Sequence, residues 1–371
     1  DLHSFPTRRS SDLSRRGYNI DSFSSGVTAD PKYTRITIVA SGDEQILEQI
    51  EKQLSESSDD IVELLQNVRN LEKESNDLQS KAEKLNEIVY LMVVEAPMVA
   101  KHCQPGQFII VKEDDAGERI PLTICDYDRE AGTVTIVFQP IGASTEKFAK
   151  LQAGDSFEDF VGPLGCPSEF VNEDPEELKK EKILFVAGGV GTAPVYPQVK
   201  WLHEHGIDAD VIVGAKTKDL IILEKEMEAV AGNLYITTDD GSYGRSGMVT
   251  KVIDDLIAEG KTYTKCVAIG PMIMMKFCCL TTQKYNIPTI VSMNPIMVDG
   301  TGMCGACRVI VGDEVKFACV DGPEFDGHLV DWNLAMQRQQ MYKTEEGRAL
   351  LKLREGDTHH GGCEQIGRAH V

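Results

Sequence analysis

The sequence predicts a small antiparallel β-barrel, then a parallel sheet covered by helices, then a cysteine-bearing loop and a polar helical tail. An incomplete α+β piece and a helix precede them. Three observations carry this prediction. Between residues 86 and 138, four apolar or alternating runs are separated by Gly and Asp turns, the pattern of short antiparallel strands. From residue 182 to 293, strand-like and helix-like runs alternate, which calls for a parallel sheet with helices on both faces. Residues 299–319 read DGTGMCGACRVIVGDEVKFAC, with two cysteines in a Gly-rich turn and a third after a hairpin pattern.

Composition sets the outer limits. A chain of 371 residues with 42% hydrophobic content can bury two or three domain cores. Its formal charge of -21 excludes nucleic acid and anionic membrane surfaces as partners, because either polyanion repels it. No apolar run reaches the length of a membrane span and no signal peptide is evident, so the expected location is cytoplasmic. Ten cysteines in that reducing setting are expected to act as ligands or core residues. Cys103, Cys125, Cys166, Cys266, Cys278 and Cys279 lie among apolar residues and read as packing.

Taken in order, residues 1–13 and 364–371 are set aside from the fold. His3–Leu13 (HSFPTRRSSDL) and Gln365–Val371 (QIGRAHV) resemble translated sequencing adapters. Residues 14–57 hold two strand patterns, about 19–27 and 34–41, and a helix pattern over Asp43–Leu54. A piece of that size has unpaired edges and half a core. Residues 58–80 place Ile61, Leu64, Leu65, Val68 and Leu71 at helical spacing, which reads as one amphipathic linking helix rather than a coiled coil.

The antiparallel domain, 81–176, has strand patterns at 86–96, 106–112, 119–126 and 132–138. In the α/β domain, 177–295, strands are expected at Lys182–Ala187, Asp210–Gly214, Asn233–Thr238, Cys266–Gly270 and Thr289–Met293. Its helices are expected at Ala193–His205, closed by Gly206, at Met248–Glu259 and at Met272–Tyr285. The cysteine loop fills 296–330. A tail, 331–363, carries one helix over about 331–353. His359, His360 and Cys363 in that tail could form a metal-ligand set but read as an unpaired end.

The loop carries the most specific chemistry. Thiolates from a tight turn plus one later strand suit an iron–sulfur cluster, and the spacing is that of a plant-type [2Fe–2S] site with Asp299 at the first position. Asp299, Cys304, Cys307 and Cys319 are therefore candidate ligands. A Cys3Asp zinc site, or a site that has lost its cluster, is the alternative. Upstream, AGGVGTAPV at 187–195 follows a strand and opens a helix, so its glycines leave room for a phosphate at a helix N-terminus. Pro stands where the third Gly of a G-x-G-x-x-G fingerprint would be. Thr238–Ser242 and Gly270–Met272 also leave the carboxyl ends of strands, where such sheets bind ligands. In the antiparallel domain, Arg119 with Pro121, Leu122 and Thr123, then Ser144 and Thr145, then Gly162–Gly165, are weaker candidates for a flavin site.

Two resemblances follow from these segments. Residues 14–54 resemble the ACT domain of acetolactate synthase small subunits, which implies a regulatory fragment in a fused chain. In their order, R-x-P-L-T, G-P-L-G, G-G-x-G-T-A-P, G-P-M and the cysteine loop resemble the ferredoxin–NADP reductase superfamily. Within it, GPLGCPSEF, DGTGMCGACR and CVDGPEFDGH look like the small subunits of NADH-dependent reduced ferredoxin:NADP oxidoreductases, over about 81–363. The dihydroorotate dehydrogenase electron-transfer subunits are the neighbouring branch. The resemblance implies FAD held by Arg119, Pro121, Leu122, Thr123, Ser144, Thr145 and Gly165. It implies NAD(H) at Gly189, Gly191, Thr192, Asp239 and Gly270. It implies a [2Fe–2S] cluster on Asp299, Cys304, Cys307 and Cys319. The implied partner is a larger flavin and [4Fe–4S] subunit, with ferredoxin reached indirectly. No side-chain catalytic constellation is evident, and none is needed where cofactors carry the chemistry. The first strand of the barrel is expected before about residue 81, where the helical segment interrupts it.

Overall fold

The computed structural model describes residues 19–27, 34–41, 82–115 and 117–355. The chain divides into two units, 1–79 and 80–371. In the first, β1 (Asn19–Val27) and β2 (Thr34–Ser41) pair antiparallel, at the expected positions. The expected helices at 43–54 and 58–80, the adapter-like ends and the His359–Cys363 tail lie outside the described residues.

The second unit opens with a six-stranded antiparallel sheet. Its strands are β3 (Ala82–Asn86), β4 (Val89–Glu95), β5 (Phe108–Lys112), β6 (Ile120–Asp128), β7 (Thr133–Phe138) and β8 (Asp159–Leu164), in the order β3-β4-β7-β6-β5-β8. Among the described residues the first strand of this sheet is Ala82–Asn86, a hairpin partner of β4, and the expected position before residue 81 lies outside the described residues. Helices α1 (Pro97–His102) and α2 (Ala143–Phe148) cover the sheet. Alternate residues of the strands, Ile109 and Val111, Val134, Ile136 and Phe138, join Met92, Val99 and Phe148 in one core. A short helix, α3 (Pro175–Leu178), leads out.

A seven-stranded sheet follows: β9 (Ile183–Gly188), β10 (Asp210–Ala215), β11 (Asn233–Thr238), β12 (Arg245–Ser246), β13 (Lys265–Ile269), β14 (Thr289–Ser292) and β17 (Glu324–Asp326). Their order is β12-β11-β10-β9-β13-β14-β17, parallel except for the last pair. Period-two alternation decides which residue faces which layer. Ile183, Phe185 and Ala187 face α4 (Thr192–Glu204) and α5 (Glu224–Val230). Leu184 and Val186 face α6 (Val249–Ala258) and α7 (Met272–Lys284).

Other elements differ from expectation. Helix α5 and strands β12 and β17 are too short to show a period. The tail forms two helices, α8 (Trp332–Arg338) and α9 (Lys343–Glu355), rather than one. Buried Ala335 and an Arg338 bond to the Ala306 carbonyl tie α8 to the cysteine loop, while Arg354 pairs with Glu146 on α2, so the chain turns between two anchors. Among the described residues no helix is long and apolar enough to cross a membrane.

Candidate cofactor sites

Antiparallel strands β15 (Arg308–Val311) and β16 (Glu314–Phe317) form the hairpin between Cys307 and Cys319. It returns the chain so that the two sulfurs stand 3.2 Å apart, both buried. Asp299 and Cys304 form a second pair. The Asp299 carboxylate accepts from the Cys304 amide at 2.8 Å and the Thr301 amide at 3.0 Å. Those bonds, the Thr301 one foremost, hold its carboxyl below the usual range and keep it ionised. Gly300, Gly302 and Gly305 all have positive φ, which permits the tight turn. Burial, reinforced by Cys307, pushes the Cys319 thiol up to about 12. Loading this site must therefore expel protons. Among the described residues no three Cys, His, Asp or Glu side chains converge on one metal-ion position. Asp299 beside Cys304, and Cys307 beside Cys319, provide the four side chains that a [2Fe–2S] cluster would need.

The loops after β9 and β13 meet where the strand order reverses, the place such sheets bind ligands. Gly189 has φ +56 and open space where a Cβ would stand, so it alone matches the expected phosphate approach. Gly191 has another reason. A Cβ there would run into the Ile269 carbonyl and stand 2.8 Å from Gly270 Cα. Its absent side chain, like that of Gly270 against Gly188, allows two strand ends to touch. The Thr192 hydroxyl is buried and donates to the Gly189 carbonyl at 2.9 Å, so it braces the turn. Asp239 is exposed at the end of β11, two strands away. Asp240 caps its own turn by accepting from the Ser242 amide at 2.9 Å. The Lys218 ammonium lies 5.0 Å from the Tyr243 ring centroid.

On the antiparallel sheet, Pro121, Leu122 and Thr123 pair with Ile110, Ile109 and Phe108 of β5. Arg119 donates to Asp159 at 2.9 Å and to the Val298 carbonyl at 3.0 Å. Ser144 donates to Glu118 at 3.1 Å, which brings it beside Arg119. The Thr145 hydroxyl accepts from the Gly142 and Ile141 amides, a cap for α2. Gly165 has φ +75 and fits between Phe108 and Gly322, so it too serves close packing. Cys166 corrects the packing assignment: it is exposed, donating to the Val320 carbonyl at 3.2 Å, because it sits in the loop beyond β8. The other five cysteines of that group are buried as expected.

Sequence reasoning missed one group. Glu324 on β17 accepts from Ser168 at 3.0 Å and from Gln198 at 2.8 Å. Burial pushes its carboxyl up to about 7. The only sequence signal was its place within CVDGPEFDGH.

Residues 294–331 match the iron–sulfur cluster binding domain of dihydroorotate dehydrogenase B, and residues 10–62 match the ACT domain of AHAS small subunits. The chain is 44% identical to a Thermotoga maritima homolog of the dihydroorotate dehydrogenase B (NAD(+)) electron transfer subunit. That alignment covers 73% of this chain and 93% of the relative. The chain belongs to this electron-transfer-subunit family. A family relative of 63% identity, covering 76% of this chain and 96% of its own length, is an uncharacterized Clostridium beijerinckii protein from an adh 3′ region. The solved structure of an NADH-dependent reduced ferredoxin-NADP oxidoreductase, described for flavin-based electron bifurcation, contains a chain 42% identical to this one. It superposes with a TM-score of 0.67 over 73% of this chain and 95% of that one. The fold is thus ferredoxin-reductase-like, an antiparallel and a largely parallel sheet joined to an iron–sulfur binding domain.

Proposed function

We propose that this chain is the flavin and iron–sulfur subunit that passes electrons between NAD(H), FAD and a [2Fe–2S] cluster, and on to a larger subunit. The observation that carries the reading is the pairing of Asp299 with Cys304 and of Cys307 with Cys319. When bound, the flavin and cluster supply the exchange between hydride and single electrons. The chain binds and orients them. Asp299, Cys304, Cys307 and Cys319 are the proposed cluster ligands. Residues 81–176 are proposed to curl as a barrel around one core and hold FAD through Arg119, Pro121, Leu122, Thr123, Ser144 and Gly165, with Thr145 shaping α2.

Residues 177–295 are the proposed NAD(H) domain. Gly189 leaves room for a phosphate, Gly191, Thr192 and Gly270 shape the turn, and Asp239 accepts from a ribose hydroxyl. A carboxylate there repels an added 2′-phosphate, which favours NADH over NADPH. Residues 296–330 are assigned to the cluster and 331–363 to the tail, although β17 of the cluster segment completes the nucleotide sheet.

The finer partner proposal is a flavin and [4Fe–4S] subunit that reaches ferredoxin, in a reducing cytoplasm where the free thiols persist. Asp299, where a dihydroorotate-type subunit is expected to have Cys, favours that transhydrogenase setting. A regulatory role for acetolactate synthase rests on the N-terminal segment alone and leaves the 80–355 fold without a task. Anaerobically purified full-length chain is expected to show flavin and cluster absorption, with two irons and two sulfides per chain. NADH is expected to bleach the flavin faster than NADPH. A colourless protein, or stoichiometric zinc without acid-labile sulfide, rejects the proposal.

A further inference from the structure

Arg119 precedes β6 on the flavin-side sheet, yet its Nε donates to the carbonyl of Val298 at 3.0 Å. Val298 is the residue before Asp299. On the other side of Asp299, Gly300 with φ +76 rests on the same sheet. A Cβ there would stand 2.7 Å from Ile110 Cδ1 on β5 and 2.8 Å from Leu164 Cδ1 on β8. The aspartate backbone is therefore held from both sides by one sheet. Val298 is 49% exposed and is not anchored by burial, so on its side the grip is the guanidinium.

We infer that Arg119 is a positioning residue for the cluster, fixing the aspartate ligand from the flavin-side sheet so that one guanidinium serves both cofactor sites. The inference rests on Asp299 as a cluster ligand and adds to the proposed flavin role of Arg119. A guanidinium offers five N–H donors in a rigid fork. Val298 and Asp159 use two, which leaves three for a flavin phosphate. Lysine supplies the charge but not the fork.

The test uses the full chain reconstituted with iron, sulfide and FAD. The Arg119→Lys variant is compared with wild type by the electron paramagnetic resonance spectrum of the dithionite-reduced cluster and by iron release to a ferrous chelator. Both are measured with FAD bound and after flavin removal. A changed spectrum and roughly tenfold faster iron release are expected in both states, the scale of losing an outer-shell contact. Gly300→Ala, at the opposite anchor, is expected to change the spectrum in the same direction. Asp159→Asn, which leaves the Val298 bond in place, is expected to keep the wild-type spectrum. An unaltered spectrum and release rate in Arg119→Lys overturn the inference, even if FAD content falls, since Arg119 then has only its phosphate role. Altered cluster behaviour with full FAD retention supports the positioning of the aspartate and overturns the shared use of one guanidinium by both sites. A wild-type chain that assembles no cluster rejects the ligand reading, and the inference with it.

Discussion

The two proposed ligand pairs of the cysteine loop differ in what surrounds them. Cys304 is exposed and its partner Asp299 is organised by backbone amides of its own turn. Cys307 and Cys319 are 1% and 2% exposed and belong to the core that also holds Leu184, Val252, Cys278 and Phe325. One half of the site is a surface loop held by a guanidinium and a glycine. The other half is built into the packing between sheet and helices. The comparison teaches that a candidate ligand set of one sequence motif divides into a part that stability protects and a part that it does not.

The largest effect expected from this contrast is on the cysteines themselves. Cys304→Ala and Cys307→Ala are both expected to abolish cluster absorption. In the iron-free protein, Cys307→Ala is expected to lower stability to urea by about 1–2 kcal/mol, while Cys304→Ala stays within about 0.5 kcal/mol of wild type. Equal losses would break the comparison.

Glu324, just beyond the buried half, sharpens it through pH. Burial raises its carboxyl from the ordinary 4.5 to about 7, and Glu169 adds to that, whereas bonds from Ser168 and Gln198 and the charge of Lys265 oppose it. Lys265 is itself paired with Glu173. Because the folded value lies above the unfolded one, its stabilising contribution is whole below about pH 4.5 and is lost as pH rises through about 7. Stability is therefore expected to fall with a slope approaching about 1 kcal/mol per pH unit over that window. Glu324→Gln is expected to flatten the slope in urea titrations across pH 5 to 8. A slope unchanged in the variant would remove Glu324 as the titrating group.

The smallest expected change separates burial from ligation. Cys125 is 1% exposed but stands in another cluster of the core. Cys125→Ala is expected to keep the full cluster spectrum and to lose about 1 kcal/mol in the iron-free protein. A weakened spectrum would mean that buried cysteines at a distance act on the site.

Much of this was legible in the sequence because the signals are local. Strand and helix patterns from Lys182 to Met293 reproduce β9, β10, β11, β13, β14, α4, α6 and α7 to within a residue or two, since short apolar runs bounded by turn residues mark buried parallel strands and longer ones the helices between them. The spacing of Asp299, Cys304, Cys307 and Cys319 likewise announced a cluster. The glycines were harder. Gly189 and Gly191 look alike in AGGVGTAPV, but one faces open space and the other the Ile269 carbonyl, which no neighbour in sequence reveals.

By itself, then, the sequence determined the alternation of elements, the Gly-rich turns and the four candidate ligands, because period, turn chemistry and motif spacing act over a few residues. Only the tertiary structure decided that β17 closes the nucleotide sheet from the cluster segment, that Arg119 reaches Val298, and that Glu324 meets Ser168 and Gln198. Those contacts join residues about 35 to 180 positions apart, and they form because folding takes polar groups out of water and brings distant partners within hydrogen-bond reach.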